Sequence, residues 1–325
     1  MVMVNPIVEG INLKGLLDLN YGFVRSKILD FALKFKIFEI LQSTHKNQLD
    51  IISQKTCASK ENIEKLLEAL VYIGVIFKEN DVYLNTLNTS KYLCLSSEHY
   101  IGEHLNLVFK QWSSWGNFEA VMLKDERVDN SSLLLNMKKK RYSLSFPIVE
   151  KLLAAIPYDF NEAKILDYHS GEGEWTFALV KNYNKAIIDA YDYANYKKKF
   201  EARMKKNYAG YKRNVKFIST IEDSYNYIIL ADFLRFYSKD YLKILLASLK
   251  GLLKNEGRII IYDVFHSDSP SISSLIDLSM LVNTCGGNVL RKNDAISILQ
   301  ETGFYIEDIF NTKPYPIIIA RSEKC

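Results

Sequence analysis

The densest chemical signal in the chain is the run Ile165-Leu166-Asp167-Tyr168-His169-Ser170-Gly171-Glu172-Gly173-Glu174-Trp175. A short apolar run ends in an aspartate, and two glycines follow, separated by a single residue. A helix-compatible pattern then runs from Trp175 to Val180. A second apolar run, Ala186 to Tyr191, ends at Asp192, about twenty residues past the glycines, which is the spacing of a nucleotide-binding βαβ unit. Glycines let the backbone approach a ligand closely, and the start of a helix offers free N–H groups. A carboxylate at the end of the second strand can accept hydrogen bonds from two ribose hydroxyls. A GxG pair by itself is equally compatible with an ordinary βα turn, so the elements around it must decide.

Bulk properties narrow the classes. The chain has 325 residues, 48% apolar and 25% charged, so a globular protein of two domains with a sizeable core is expected. A formal charge of +4 is small for that length and demands neither nucleic acid nor an anionic membrane. Cys57, Cys94, Cys285 and Cys325 are scattered, without a CxxC pair, so no zinc site, no other metal and no disulfide scaffold is implied. Residues Met1 to Gly10 lack a basic stretch followed by a long apolar run, so neither a secretory signal nor a membrane span is expected. The expectation is a soluble cytoplasmic protein.

The front of the chain is helical. Leu29, Ala32, Leu33, Ile37, Ile40 and Leu41 recur at helical spacing and predict one helix over Ser26–Leu41. Gln48–Lys55 reads as a short helix, and Ser59 can cap the next, which carries Leu66, Leu67 and Leu70 and stops at Gly74. Val75-Ile76-Phe77 and Val82-Tyr83-Leu84, divided by four polar residues, predict a hairpin. Helix, helix and hairpin form a winged-helix arrangement. A groove-reading helix needs net positive charge, but here Lys60 and Lys65 are outweighed by Glu61, Glu64 and Glu68. A packing or dimerisation module is preferred to DNA binding.

Residues 99–123 are rich in aromatics, and Lys124 to Arg141 is polar, ending in a basic run that reads as a solvated approach to a second domain. Phe146–Ile156 reads as a helix with Pro147 in its first turn. From Lys164 onward strands alternate with helices: Lys164–Tyr168, Ala186–Tyr191, Val215–Ser219, Tyr227–Leu230, Arg258–Asp263, Tyr305–Asn311 and Pro316–Ala320, with helices at Lys239–Leu253 and Asn293–Thr302. Such alternation implies a Rossmann-like, doubly wound α/β sheet, here with an antiparallel edge hairpin, and a ligand beyond the carboxyl ends of the strands. The expected domains are residues 1–145 and 146–325.

A winged-helix front, a GxG βαβ unit and an edge hairpin, in that order, resemble the class I S-adenosylmethionine-dependent O-methyltransferases with an N-terminal dimerisation domain, which include the caffeate, acetylserotonin and antibiotic-tailoring enzymes. The resemblance extends to Leu66-Leu67-Glu68-Ala69-Leu70, Asn255-Glu256-Gly257-Arg258, Asp277-Leu278-Ser279-Met280-Leu281, Gly286-Gly287 and Gly303-Phe304. It implies a homodimer, a small-molecule acceptor that is aromatic or polycyclic, and S-adenosyl-L-methionine as cofactor. It places Asp167, His169, Gly171 and Gly173 beneath the methionine part of the donor, Asp192 on the ribose, and Ile221 and Leu234 around the adenosine. Acceptor contacts are expected from His104, Phe109, Trp112, Phe146, Asp277, Met280 and Leu281.

Departures from the family matter to the chemistry. Its loop carries three consecutive glycines, but His169 and Ser170 take the first two places here, and their side chains are expected to narrow the loop. The aspartate that contacts adenine falls on Ile221, and Glu222 or Asp223 could replace it only if the turn shifts. The catalytic His-Asp-Trp word is replaced by Arg235-Phe236-Tyr237, in this like the bacteriochlorophyllide C-20 methyltransferase. Arginine is no base at neutral pH. The preferred reading is therefore methylation of oxygen or carbon, mainly by proximity. Arg235, Tyr237 and His266 are the candidate catalytic residues. One alternative is a fold that binds ligand without methyl transfer, and another is a winged-helix ligand sensor.

Overall fold

The computed structural model describes residues 11–139, 142–266 and 271–322. Met1–Gly10, part of the basic run, the end of the Asp263–Asp268 loop and Cys325 lie outside the described residues. Contacts divide the chain into two compact units, the first ending at Phe109 and the second beginning at Lys110. Residues 110–145, expected to go with the front, therefore group with the back unit.

The front unit contains α1 (Leu13–Asn20), α2 (Gly22–Lys34), α3 (Ile37–Ser43), α4 (Gln48–Thr56), α5 (Lys60–Tyr72), the hairpin β1 (Ile76–Glu79) and β2 (Val82–Asn85), α6 (Leu87–Leu93) and α7 (Gly102–Phe109). The single helix expected over Ser26–Leu41 is two helices, because Lys36 adopts a left-handed φ of 55° that ends one and starts the next. The break lets Ala32 and Leu33 on α2, and Ile37, Phe38 and Leu41 on α3, enter one core with Ile63, Leu67 and Leu70. Ser59 caps α5, accepting from the Asn62 amide at 3.2 Å, and Gly74 turns the chain with φ 75°. Carboxylates engage the α5 lysines: Lys60 pairs with Asp50, and Lys65 with Glu61.

The back unit opens with α8 (Trp112–Gly116), α9 (Phe118–Lys124), α10 (Ser131–Lys139) and α11 (Tyr142–Ala155). Pro147 lies inside α11 and not in its first turn, since the helix begins four residues earlier than expected. Then follow β3 (Lys164–Tyr168), α12 (Glu174–Asn182), β4 (Ile187–Tyr191), α13 (Ala194–Asn207), β5 (Val215–Ile218), β6 (Tyr225–Ala231), α14 (Lys239–Lys250), β7 (Leu253–Tyr262), α15 (Ile272–Asn283), α16 (Lys292–Glu301), β8 (Phe304–Phe310) and β9 (Ile317–Ser322).

The sheet order is β5-β4-β3-β6-β7-β9-β8. The first five strands pair in parallel, and β9 joins β7 and β8 antiparallel. Both faces are covered, which is why the strands read as continuous apolar runs. Ile165, Ile229, Ile260 and Ile319 face one core with α11 and α12, and Leu166, Ile228, Ile261 and Ile318 face the other with α14 and α16. Burying each such side chain contributes about 1.5–3 kcal/mol. After β3 the chain proceeds to β4 on one side, and after β5 it returns to β6 on the other. The topological switch therefore lies between β3 and β6, and the turns that follow these two strands flank it.

Candidate active site

The turn after β3 is built by hydrogen bonds to two buried acids. Asp167 ends the strand's apolar run and accepts from the Thr176 amide at 3.0 Å and its hydroxyl at 2.6 Å, tying the first turn of α12 to β3. Asp192, 2% exposed, follows β4 and accepts from the Gly171 amide at 2.9 Å and the Tyr193 amide at 2.7 Å. Gly171 and Gly173 have φ of 61° and 92°. A Cβ at Gly173 would collide with Phe177 and Phe200, so this glycine serves the close packing of turn on helix. Ser170 Oγ is buried and has no hydrogen-bond partner among the described residues. Glu172 is buried and pairs with Arg203 at 2.7 Å and Lys199 at 3.5 Å.

His169 lies buried within the turn. Its φ is 59°, and the ring is buried, with Nδ1 3.6 Å from Asp192 Oδ1. The ring stacks on Phe233 at 4.7 Å and meets Tyr168, Tyr191 and Tyr193 edge-on. Phe233 was not singled out from the sequence; an aromatic two residues beyond a strand that borders the switch was the signal for it.

The turn after β6 holds charge against charge. Arg235, 7% exposed, is hydrogen-bonded to Asp263 and, at 3.1 Å, to Asp232. Asp263 also accepts from the Leu234 amide at 2.7 Å and the Val264 amide at 2.8 Å. Burial alone pushes the Arg235 guanidinium down, but Asp263 and then Asp232 outweigh it and hold it above its ordinary value. Tyr237 meets Phe233 at a tilt at 4.7 Å and stacks on Tyr241 at 4.6 Å. Burial, then the neighbouring Tyr241 phenol, pushes its own phenol above the ordinary value.

Other candidates fall into two groups. Tyr237 and Met280 come together with Leu134 and Phe236 in one apolar cluster. Trp112 opens α8, which is tied to α15 by a buried hydrogen bond from Ser114 to Asn283 at 2.7 Å. His266 and Asp277 also meet, Nε2 to Oδ2 at 3.1 Å, while Asp277 Oδ1 accepts from the Val289 amide at 2.7 Å. Leu281 is half-buried on the same helix, α15.

Of the rest on the back unit, Phe146 and residues 221–223 do not gather at this edge. Phe146 packs against Tyr208 and under Lys181, at the ends of α13 and α12 remote from the turn, so it belongs to the flank of the sheet. Asp223 pairs with Lys164 at 2.5 Å at the amino end of β3, and Glu222 accepts from Thr220 at 3.3 Å. Ile221 packs on the sheet's core. His104 and Phe109 lie on α7 of the front unit, where Phe109 packs against that unit's own core.

Comparison with known proteins agrees with this geometry. Residues 17–94 match the O-methyltransferase dimerisation domain family. The S-adenosyl-L-methionine-dependent methyl transferase PigF of a Serratia species is 22% identical over 317 residues, covering 87% of this chain and 88% of that protein. An O-methyltransferase family protein from Burkholderia thailandensis superposes with TM-score 0.81 at 18% identity, covering 97% of this chain and 99% of that one. Human N-acetylserotonin methyltransferase, solved in complex with SAM, superposes with TM-score 0.78 at 17% identity, covering 98% and 99%. Residues 17–94 thus match the O-methyltransferase dimerisation domain, and the chain as a whole has the fold of these solved methyltransferase structures.

Proposed function

We propose that the chain is an S-adenosylmethionine-dependent methyltransferase acting on a small, apolar metabolite. The observation that carries this reading is Asp192, a buried carboxylate at the end of β4 that reaches back to the glycine turn after β3, in a chain whose front matches a methyltransferase dimerisation domain. Three features fit the donor. Asp192 is a buried carboxylate acceptor of the kind ribose hydroxyls need, the turn brings main-chain amides to the switch point, and Ser170 Oγ is a buried polar atom in need of a partner. The bound donor would supply an electrophilic methyl group on a cationic sulfur.

The chain's own residues would do the rest by placement. The cluster of Tyr237, Met280 and Leu134 would offer an acceptor surface. Arg235 is locked between two carboxylates and takes no proton, and Tyr237 keeps its own. The acceptor atom would therefore arrive already nucleophilic, or lose its proton to His266, which Asp277 holds in place. Alignment of nucleophile and methyl carbon would carry most of the rate. Leu13, Leu16, Leu17 and Leu19 are exposed along the first helix of the front unit, with Ile11 exposed just before it, which supports a homodimer formed through this unit. Free Cys57, Cys94 and Cys285 support a reducing, cytoplasmic setting.

Calorimetric titration with S-adenosylhomocysteine tests the reading. Saturable binding is expected, weakened at least about tenfold by Asp192→Asn, which removes a charged acceptor while keeping its shape. A second reading, ligand binding without methyl transfer, draws on the locked Arg235. It would be favoured by donor binding with no label passed from methyl-labelled S-adenosylmethionine to any phenol, amine or activated carbon offered.

A further inference from the structure

Resting on the donor site proposed above, we propose that His169 gates it, and that its side chain sets how tightly this chain holds a nucleoside. The argument begins with topology. A doubly wound sheet binds its ligand in the crevice between the two strands at which the order reverses, here β3 and β6. His169 is the first residue after β3, and Phe233 lies two residues after β6. Their rings stack across that crevice at 4.7 Å with an interplanar angle of 23°. The stack is walled by Tyr168 at 4.9 Å, Tyr193 at 5.5 Å and Tyr191 at 6.0 Å.

The same ring also faces the acid that a ribose needs. Its Nδ1 is 3.6 Å from Asp192 Oδ1, and the carboxylate's remaining contacts include the Gly171 and Tyr193 amides, both main chain and both part of the cradle. The amides can stay when hydroxyls approach Asp192, whereas the imidazole stands against one of the two carboxylate oxygens. A sugar reaches that oxygen only after the ring leaves both Asp192 and Phe233. Binding the donor therefore includes the cost of unstacking a buried ring, and that cost is a differential term between the closed and the donor-ready states.

The backbone makes the device available to few residues. With φ at 59°, position 169 sits in the left-handed region, open to glycine at no steric cost and to asparagine at a small one. His169→Gly removes the ring and relaxes the backbone. His169→Asn keeps a polar side chain that tolerates the same φ but cannot stack across the crevice.

Three titrations of S-adenosylhomocysteine, followed by calorimetry, decide the matter. Both variants are first confirmed folded by circular dichroism and a cooperative melt. His169→Gly is expected to bind at least tenfold more tightly than the parent, about 1.4 kcal/mol at 25 °C, with His169→Asn between the two. In the parent, saturating ligand is expected to abolish the ring-current shift that Phe233 imposes on the His169 ring protons. Equal or weaker binding by both folded variants, or an unchanged His169 resonance at saturation, overturns the gate and leaves the donor site standing. No binding by the parent or by either folded variant overturns the donor site itself, and the gate with it.

Discussion

The turns after β3 and after β6 lie side by side at the carboxyl edge of the sheet, and each begins with a non-glycine residue in the left-handed region, His169 with φ 59° and Asp232 with φ 54°. Such conformations cost about 1–3 kcal/mol each and persist where surroundings over-determine them. The surroundings differ. At the turn after β3, Asp167 and Asp192 accept from main-chain amides and a hydroxyl. After β6, the acids bond to a cation, Arg235, and the charges are spent on one another. One turn is held by neutral amide and hydroxyl donors, and the other by a buried cation.

The largest expected effect tests that division directly. Arg235→Met leaves Asp232 and Asp263 buried without their cation and should lower the unfolding free energy by about 3–5 kcal/mol in urea titrations. Its S-adenosylhomocysteine affinity should stay within about threefold of the parent's. A loss of affinity larger than the loss of stability would show that the second turn also serves the ligand. Asp192→Asn should behave in the opposite way, with affinity falling and the urea midpoint little changed.

Thr176→Val is next in size. It removes the hydroxyl donor to buried Asp167 and should cost about 1–3 kcal/mol, read in the same denaturation. If the cradle is rigid, affinity falls along with stability; a stable variant with intact affinity would mean that Asp167 is not what holds the turn.

Tyr237→Phe should do least. Its phenol is pushed above the ordinary value, first by burial, so it stays protonated from roughly pH 6 to 9. The substitution should therefore leave donor affinity within about twofold, and any methyl-transfer pH profile without a shifted limb. A limb that disappears in the variant would make Tyr237 an acid or base after all.

Much of the architecture was legible in the chain. The seven sheet strands follow from apolar runs between glycines and helix-period segments, and each was placed to within a few residues, apart from an early start of β7 at Leu253. The hairpin and the Ser59 cap were legible for the same local reason. The helix break at Lys36 was not, because nothing in Lys-Phe-Lys-Ile marks a left-handed residue; it is imposed by two helices sharing one core. The grouping of the helices after Phe109 with the back unit was not legible, because composition does not say which unit a helix will pack on. Their anchors, Ser114 on Asn283 and Leu134 on Met280, join positions far apart in sequence.

The site divides along the same line. The sequence by itself determined which groups are available: an acid at the end of each of the first two strands, a glycine turn, an arginine in place of a base. These depend on residue type and on spacing within one βαβ unit, a local property. Only the tertiary structure decided what they do. It turned Asp167 inward to a hydroxyl and left Asp192 facing an imidazole. It closed Arg235 between carboxylates from two strands and set Phe146 on the flank of the sheet. Each of those outcomes is a contact between separate elements, and side-chain direction at the edge of a twisted sheet is fixed by packing across strands, not by the order of residues along one.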